Sequence, residues 1–149
     1  MTAHSTQNQD ELNRFKSLYQ QLNRETITPE LISSCYADDI VFQDPFHHVK
    51  GVGKLTEYFV SMYSNVEHIS FNFTNSWHAD DRSMLRWTMQ FSHPRIRAGE
   101  LVSVEGCSEL QWHDGKIIRH QDFFDAGAML YEHLPVLGWV IRKLKERML

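Results

Sequence analysis

The stretch Tyr36-Ala37-Asp38-Asp39-Ile40-Val41-Phe42-Gln43-Asp44-Pro45 decides how this chain is read. Ile40-Val41-Phe42 is a brief apolar run of the kind that makes a buried strand. It follows the end of a short helix near Tyr36 and leads onto the carboxylate of Asp44. Pro45 has no N–H to give a ladder, so the strand stops there. Upstream, Thr28-Pro29-Glu30 is a helix start: a hydroxyl N-cap, proline in the first turn, and an acid near the positive end of the helix dipole. Downstream, Gly51 to Ser64 places Leu55, Tyr58 or Phe59, and Met62 on one face of a further helix. The local order is therefore helix, buried strand, acid, helix.

Working outward, Leu12, Phe15, Leu18 or Tyr19, and Leu22 recur at helical spacing, which predicts a helix over 9–24 behind a flexible polar tail, 1–8. After Ser64 the period changes to two. Ile69, Phe71 and Phe73 alternate, then Leu85, Trp87, Met89 and Phe91, then Val102, Val104, Gly106, Ser108, Leu110 and Trp112. Ala79-Asp80-Asp81-Arg82 and His113-Asp114-Gly115-Lys116 are hairpin-length turns, the second marked by Asp-Gly. Strands joined this way make a mostly antiparallel sheet, and helices that precede it make the class α+β. One or two helical turns are expected over 126–134, broken at Pro135. A last helix, 135–149, carries Val136, Leu137, Val140, Ile141, Leu144 and Met148 on one side and Arg142, Lys143, Lys145 and Arg147 on the other. The domain proper is 9–134.

Composition narrows the function. At 149 residues with 42% hydrophobic residues, one domain has enough material for a core and a cavity. The net charge is −4 with no basic stripe, so no nucleic-acid partner is expected. Cys35 and Cys107 form no CxxC and no metal-type spacing; two reduced thiols are expected, with a disulfide the alternative. The polar N-terminus lacks a signal-peptide core, and no run approaches the ~20 apolar residues that span a bilayer, so a cytoplasmic protein is expected. The basic amphipathic end could touch an anionic membrane surface, or pack on its own domain or a partner subunit.

The element order, with Tyr36 to Pro45 and the run Asp114-Gly115-Lys116-Ile117-Ile118 leading into Asp122-Phe123-Phe124-Asp125, resembles the SnoaL-like branch of the nuclear transport factor two-like superfamily over residues 10–130. The resemblance implies a cone: a strongly curved sheet wrapped around the N-terminal helices, with a pocket at its open end and homodimers through the outer face, where Arg119, Gln121 and Phe123 would lie. It also implies which chemistries to test. In the ketosteroid isomerase branch the acid before proline is the proton-shuttling base, and Asp44 stands there. The two oxyanion donors of that branch align with Leu18 and Ser108. Tyr19 is one residue off, about 100° around the helix, and is expected to point out of the pocket. In the limonene epoxide hydrolase-like branch Asp122 matches the water-activating acid. The Arg-x-Asp pair that completes that site is replaced by Trp87 and Met89, and the tyrosine and asparagine of the first strand by Phe42 and Asp44. Neither chemistry is expected in its familial form.

Asp44, His120 and Asp122 remain as candidate catalytic residues. Residues two apart on a strand share a face, so His120 and Asp122 are expected to line the cavity together, with Ile118 continuing their row. Asp122 would be the base, His120 its partner, and Asp44 a second acid or orienting group. Phe42, Tyr58, Trp87, Met89, Ser108, Leu110 and Trp112 are expected to form the ligand-binding wall. Each has a plainer reading. Asp44 could cap the turn before Pro45, and His120 with Asp122 could be a buried pair that only holds the sheet. Asp125 reads as the cap of the helix after it. His47 and His48 are adjacent, a poor arrangement for one metal, and no metal or cofactor is expected. Two functions follow: an acid–base enzyme of isomerase, cyclase, dehydratase or hydrolase type on a small apolar molecule, or a non-catalytic ligand-binding or protein-interaction module.

Overall fold

The computed structural model describes residues 2–129 and 135–148. Helix α1 runs Thr2–Gln21, α2 Pro29–Ser33 and α3 Val52–Ser64; strand β1 is Tyr36–Gln43 and β2 His48–Lys50. The remaining strands are β3 His68–Ala79, β4 Arg82–Ser92, β5 Val102–His113 and β6 Lys116–Phe124, and α4 Ala126–Met129 and α5 Pro135–Arg147 follow. The strands form one curved open sheet in the order β2-β1-β6-β5-β4-β3. Every neighbouring pair is antiparallel except β1 and β6, which run parallel.

Several boundaries differ from the sequence expectation, each for a local reason. Residues 2–8, expected as a tail, continue α1. Their sequence carries no apolar period, residues 5–7 are exposed, and Gln7–Glu11 and Gln9–Asn13 side-chain bonds support the helix there. The same helix stops at Gln21, because Asn23 Oδ1 accepts from the backbone of Glu25 and Thr26 while Thr26 Oγ1 bonds the carbonyl of Gln21. Helix α2 begins as read, with Thr28 Oγ1 accepting from Leu31 N at 3.1 Å. It ends at Ser33, so Tyr36 opens β1 rather than closing a helix. On β6, Gln111 faces Arg119 but Trp112 faces Ile117, leaving Ile118 as an extra residue. This bulge reverses the alternation, so Ile117 is fully buried where Ile118 was expected to be. The expected turns over 130–134 lie outside the described residues.

The core has two parts. Under α1, α2 and α3 lie Phe15, Leu18, Ile32, Tyr36, Leu55 and Leu110, packed on the concave side of β1, β5 and β6. Farther along the sheet Trp87, Met89, Phe91, Val102 and Val104 form a second cluster across β4 and β5. Asp114 and Gly115 both take positive φ, 48° and 75°, in the tight turn between β5 and β6. On the convex face Arg82–Glu109 and Arg86–Glu105 pair across β4 and β5.

Candidate functional site

The site grows from the one parallel pairing. Phe42 lies opposite His120 and Gln43 opposite Gln121. One step further, Asp44 and Asp122 leave the same end of two strands whose backbones run ~5 Å apart. Between α3 and the curved sheet this end opens into a cavity of about 260 Å³, with Asp44, His47, Tyr58 and Asp122 among its polar walls and Phe42, Phe71, Trp87, Met89 and Met129 among its apolar ones. That is close to the lower bound of ~300 Å³ for small-molecule sites, so the space suits a small ligand.

Asp122 is held by a directed chain of donors. Trp87 Nε1 donates to Ser108 Oγ at 2.9 Å. An indole N–H can only donate, so the serine oxygen accepts there and its own proton goes to Asp122 Oδ1, at 2.5 Å. His120 Nε2 reaches the same oxygen at 2.6 Å. For the ionised carboxylate both contacts are donations into Oδ1. Nδ1 of His120 then accepts from Tyr36 Oη at 2.8 Å, and Tyr19 Oη donates to Tyr36 at 3.0 Å. Burial pushes the phenols of Tyr19 and Tyr36 well above the ordinary range, so both keep their protons and the direction is stable. Oδ2 of Asp122 has no hydrogen-bond partner among the described residues. The carboxylate is 17% exposed, and that exposure is to the cavity.

Asp44 is built differently. Its Oδ1 accepts from the backbone of Phe46 at 2.8 Å and of His47 at 2.6 Å, and its Oδ2 from Tyr58 Oη at 2.5 Å. His47 Nδ1 lies 3.1 Å from Oδ1. Both carboxylate oxygens are thus engaged in closing the turn around Pro45 and in holding the His47 and Tyr58 rings, whose centroids are 4.8 Å apart. Burial, then the bond to Asp44, drives the Tyr58 phenol far upward.

The expected site residues separate accordingly. Asp122, Asp44, Phe42, Tyr58, Trp87 and Met89 meet at the cavity. His120 does not line it: the ring is 1% exposed, sits behind Asp122, and packs 4.8 Å edge-on from Phe42. Ser108 is likewise buried behind the carboxylate. Leu110 and Trp112 share the inward row of β5 but lie beneath α1, where Leu110 joins the main core and Trp112 Nε1 bonds Ser83 Oγ. One strand face serves both core and pocket, and period two cannot say where one ends. Tyr19, expected to point away, is buried and touches the cavity floor. Tyr36 and His47 were not foreseen in these roles. The three-residue spacing of Asp44 and His47 across a proline was the available signal for the second. Among the described residues no group of three or more His, Cys, Asp or Glu side chains gathers as a metal site would.

A curved open sheet over helices is the nuclear transport factor two-like fold. The chain belongs to the SnoaL-like domain family, whose model matches residues 15–120. Its fold is shared with an LEH-like epoxide hydrolase of M. tuberculosis, at 15% identity and TM-score 0.68 over 90% of this chain and 97% of that one. A candidate SnoaL-like polyketide cyclase from Jannaschia sp. CCS1 matches at 14% identity and TM-score 0.70, over 84% and 90%. A protein from Catenulispora acidiphila with a ketosteroid isomerase-like fold, solved with trimethylamine, matches at 13% and 0.69, over 80% and 88%. No curated protein matches significantly.

Proposed function

We propose that the protein is an acid–base enzyme acting on a small, largely apolar molecule, with Asp122 as the general base. The observation that carries this reading is the asymmetry of its carboxylate. Two buried donors fix Oδ1, while Oδ2 is left to the cavity, oriented and free to take a proton from a carbon acid or from water. His120 is a positioning residue: it stabilises and orients the carboxylate from behind, with Tyr36 and Tyr19 holding its tautomer. Asp44 orients His47 at the rim. No protein partner for His47 Nε2 is found among the described residues, so in its protonated form that nitrogen can give its own proton to the substrate while Asp122 keeps the one it has taken, and the two groups reset by exchange with solvent.

Native mass spectrometry against an extract of the source cell tests the reading, with turnover followed in wild type and Asp122→Asn. An amide fits the site, since its oxygen can accept both donors while its nitrogen replaces Oδ2. The expected result is a retained molecule that changes mass with wild type and persists with the variant. A molecule held unchanged by both proteins would establish the binding module instead.

A further inference from the structure

Helix α5 presents an apolar surface that nothing in the described residues covers. At about 100° per residue, Val136, Val140, Leu144, Leu137 and Met148 fall within one arc of about 120°. All five are exposed, from 38% at Val140 to 86% at Met148. The edge turned toward the domain is a different one. Gly138 is buried and Ile141 half-buried there. Lys145 is on that edge too, 3.6 Å from Asp125 at the exit of β6. The helix is therefore seated by its narrow side, with its greasy side outward.

Charge identifies the occupant. Residues 142–149 hold four basic side chains and one acid, in a chain whose net charge is −4. Lys143, paired with Glu146 at 2.9 Å, flanks the apolar arc, and Arg147 falls within it between Val136 and Val140; their long stems can lie along hydrocarbon while their charges reach phosphate. Trp139 is 57% exposed beside Lys143, the place an indole takes at the level of lipid headgroups. At 13 residues α5 is too short to span a bilayer, and among the described residues no helix is long and apolar enough to cross one.

The geometry points to α5 as a docking element that lies in the surface of an anionic phospholipid bilayer and holds the cavity's end of the cone close to it. Asp125 anchors α5 three residues beyond Asp122, which places the docked surface near the mouth. This assignment stands whether or not the cavity is catalytic. A second copy of the chain could bury the apolar arc but would set the two basic edges against each other, which disfavours it.

The test uses the full chain with vesicles of phosphatidylcholine alone and of phosphatidylcholine with phosphatidylglycerol. The expected result is co-sedimentation with the anionic vesicles only, reversed by salt, with a blue shift of tryptophan emission that Trp139→Phe removes. Lys143→Gln should weaken partitioning about fivefold, from ~1 kcal/mol per basic residue at such a surface. Val140→Gln/Leu144→Gln should weaken it more than about tenfold, at an unchanged unfolding midpoint because both side chains are exposed. Equal sedimentation of that double variant, or no vesicle binding by wild type, overturns the assignment. So does a dimer in solution that the double variant dissociates.

Discussion

Gly106 sits on β5 opposite Trp87 of β4 and Phe124 of β6, and the indole of Trp87 occupies the space a side chain there would take. A Cβ at this position would stand 2.4 Å from Trp87 Cη2, 2.7 Å from Cζ2 and 2.8 Å from the Phe123 carbonyl oxygen. Carbon atoms rest at about 3.5–4.0 Å, so Gly106→Ala must drive the ring back by roughly 1 Å. That movement lengthens the Trp87–Ser108 bond from 2.9 Å beyond hydrogen-bonding range. Overpacking costs about 1–3 kcal/mol. Orphaning the buried indole N–H adds about 1–3 kcal/mol, for a sum of about 2–6 kcal/mol. With a urea m-value of about 2 kcal/mol/M, the midpoint should fall by about 1–3 M. Urea denaturation followed by circular dichroism reads this directly. In a Trp87→Phe background the same substitution should cost clearly less, though not nothing, because the Phe123 carbonyl stays in place. A midpoint that falls by less than about 0.25 M, or an equal cost in both backgrounds, refutes the argument that the glycine exists to seat the indole.

Asp122→Asn should unfold within about 1 kcal/mol of wild type, whereas Asp122→Ala, which strands the Ser108 and His120 donors, should lose about 2–4 kcal/mol in the same assay. The folded phenols of Tyr19, Tyr36, Tyr58 and Tyr63 are raised, chiefly by burial, so the folded state keeps protons that the unfolded state gives up above the ordinary phenol value near 10. Stability is then intact below about pH 10 and falls above it by ~1.4 kcal/mol per pH unit for each such tyrosine. Phenolate absorbance and loss of ellipticity should rise together in one steep step, and gradual ionisation of a folded protein would contradict this. Burial pushes the Cys35 thiol up to about 11. Iodoacetamide at mildly alkaline pH should therefore mark half-buried Cys107 and spare Cys35 until urea is added, as peptide mass mapping will show.

The fold was legible because its signals are local. Thr28-Pro29 starts a helix by capping chemistry, Asp114-Gly115 closes a hairpin through positive φ, and alternating apolar residues mark β4 and β5. The site was half legible. Asp122 and Asp44 stand out as acids at strand ends, but their difference lies in where each oxygen's partners come from. Ser108, Tyr36 and Tyr19 reach Asp122 or His120 only after distant strands and α1 have come together, and no spacing along the chain encodes that. Leu110 and Trp112 show the opposite limit: alternation placed them on the inner face, while α1 decided that this part of the face is core. The bulge at Ile118 was hidden for a related reason, since an extra residue shows only when β5 is laid beside β6.

The parallel contact of β1 with β6 also shapes how the molecule is made. Tyr36 and His120, which touch, are 84 positions apart. While the ribosome is still working through β3, β4 and β5, β1 can hold only β2 and the helices around it, and its inner edge waits for a strand not yet synthesised. Contacts of such long range are slow to close, because the chain entropy is surrendered before the contact is gained. Asp44 and Asp122 thus become neighbours only in the final closure. The nascent chain carries its two acids on separate pieces, with an open strand edge between them, until the sheet is complete.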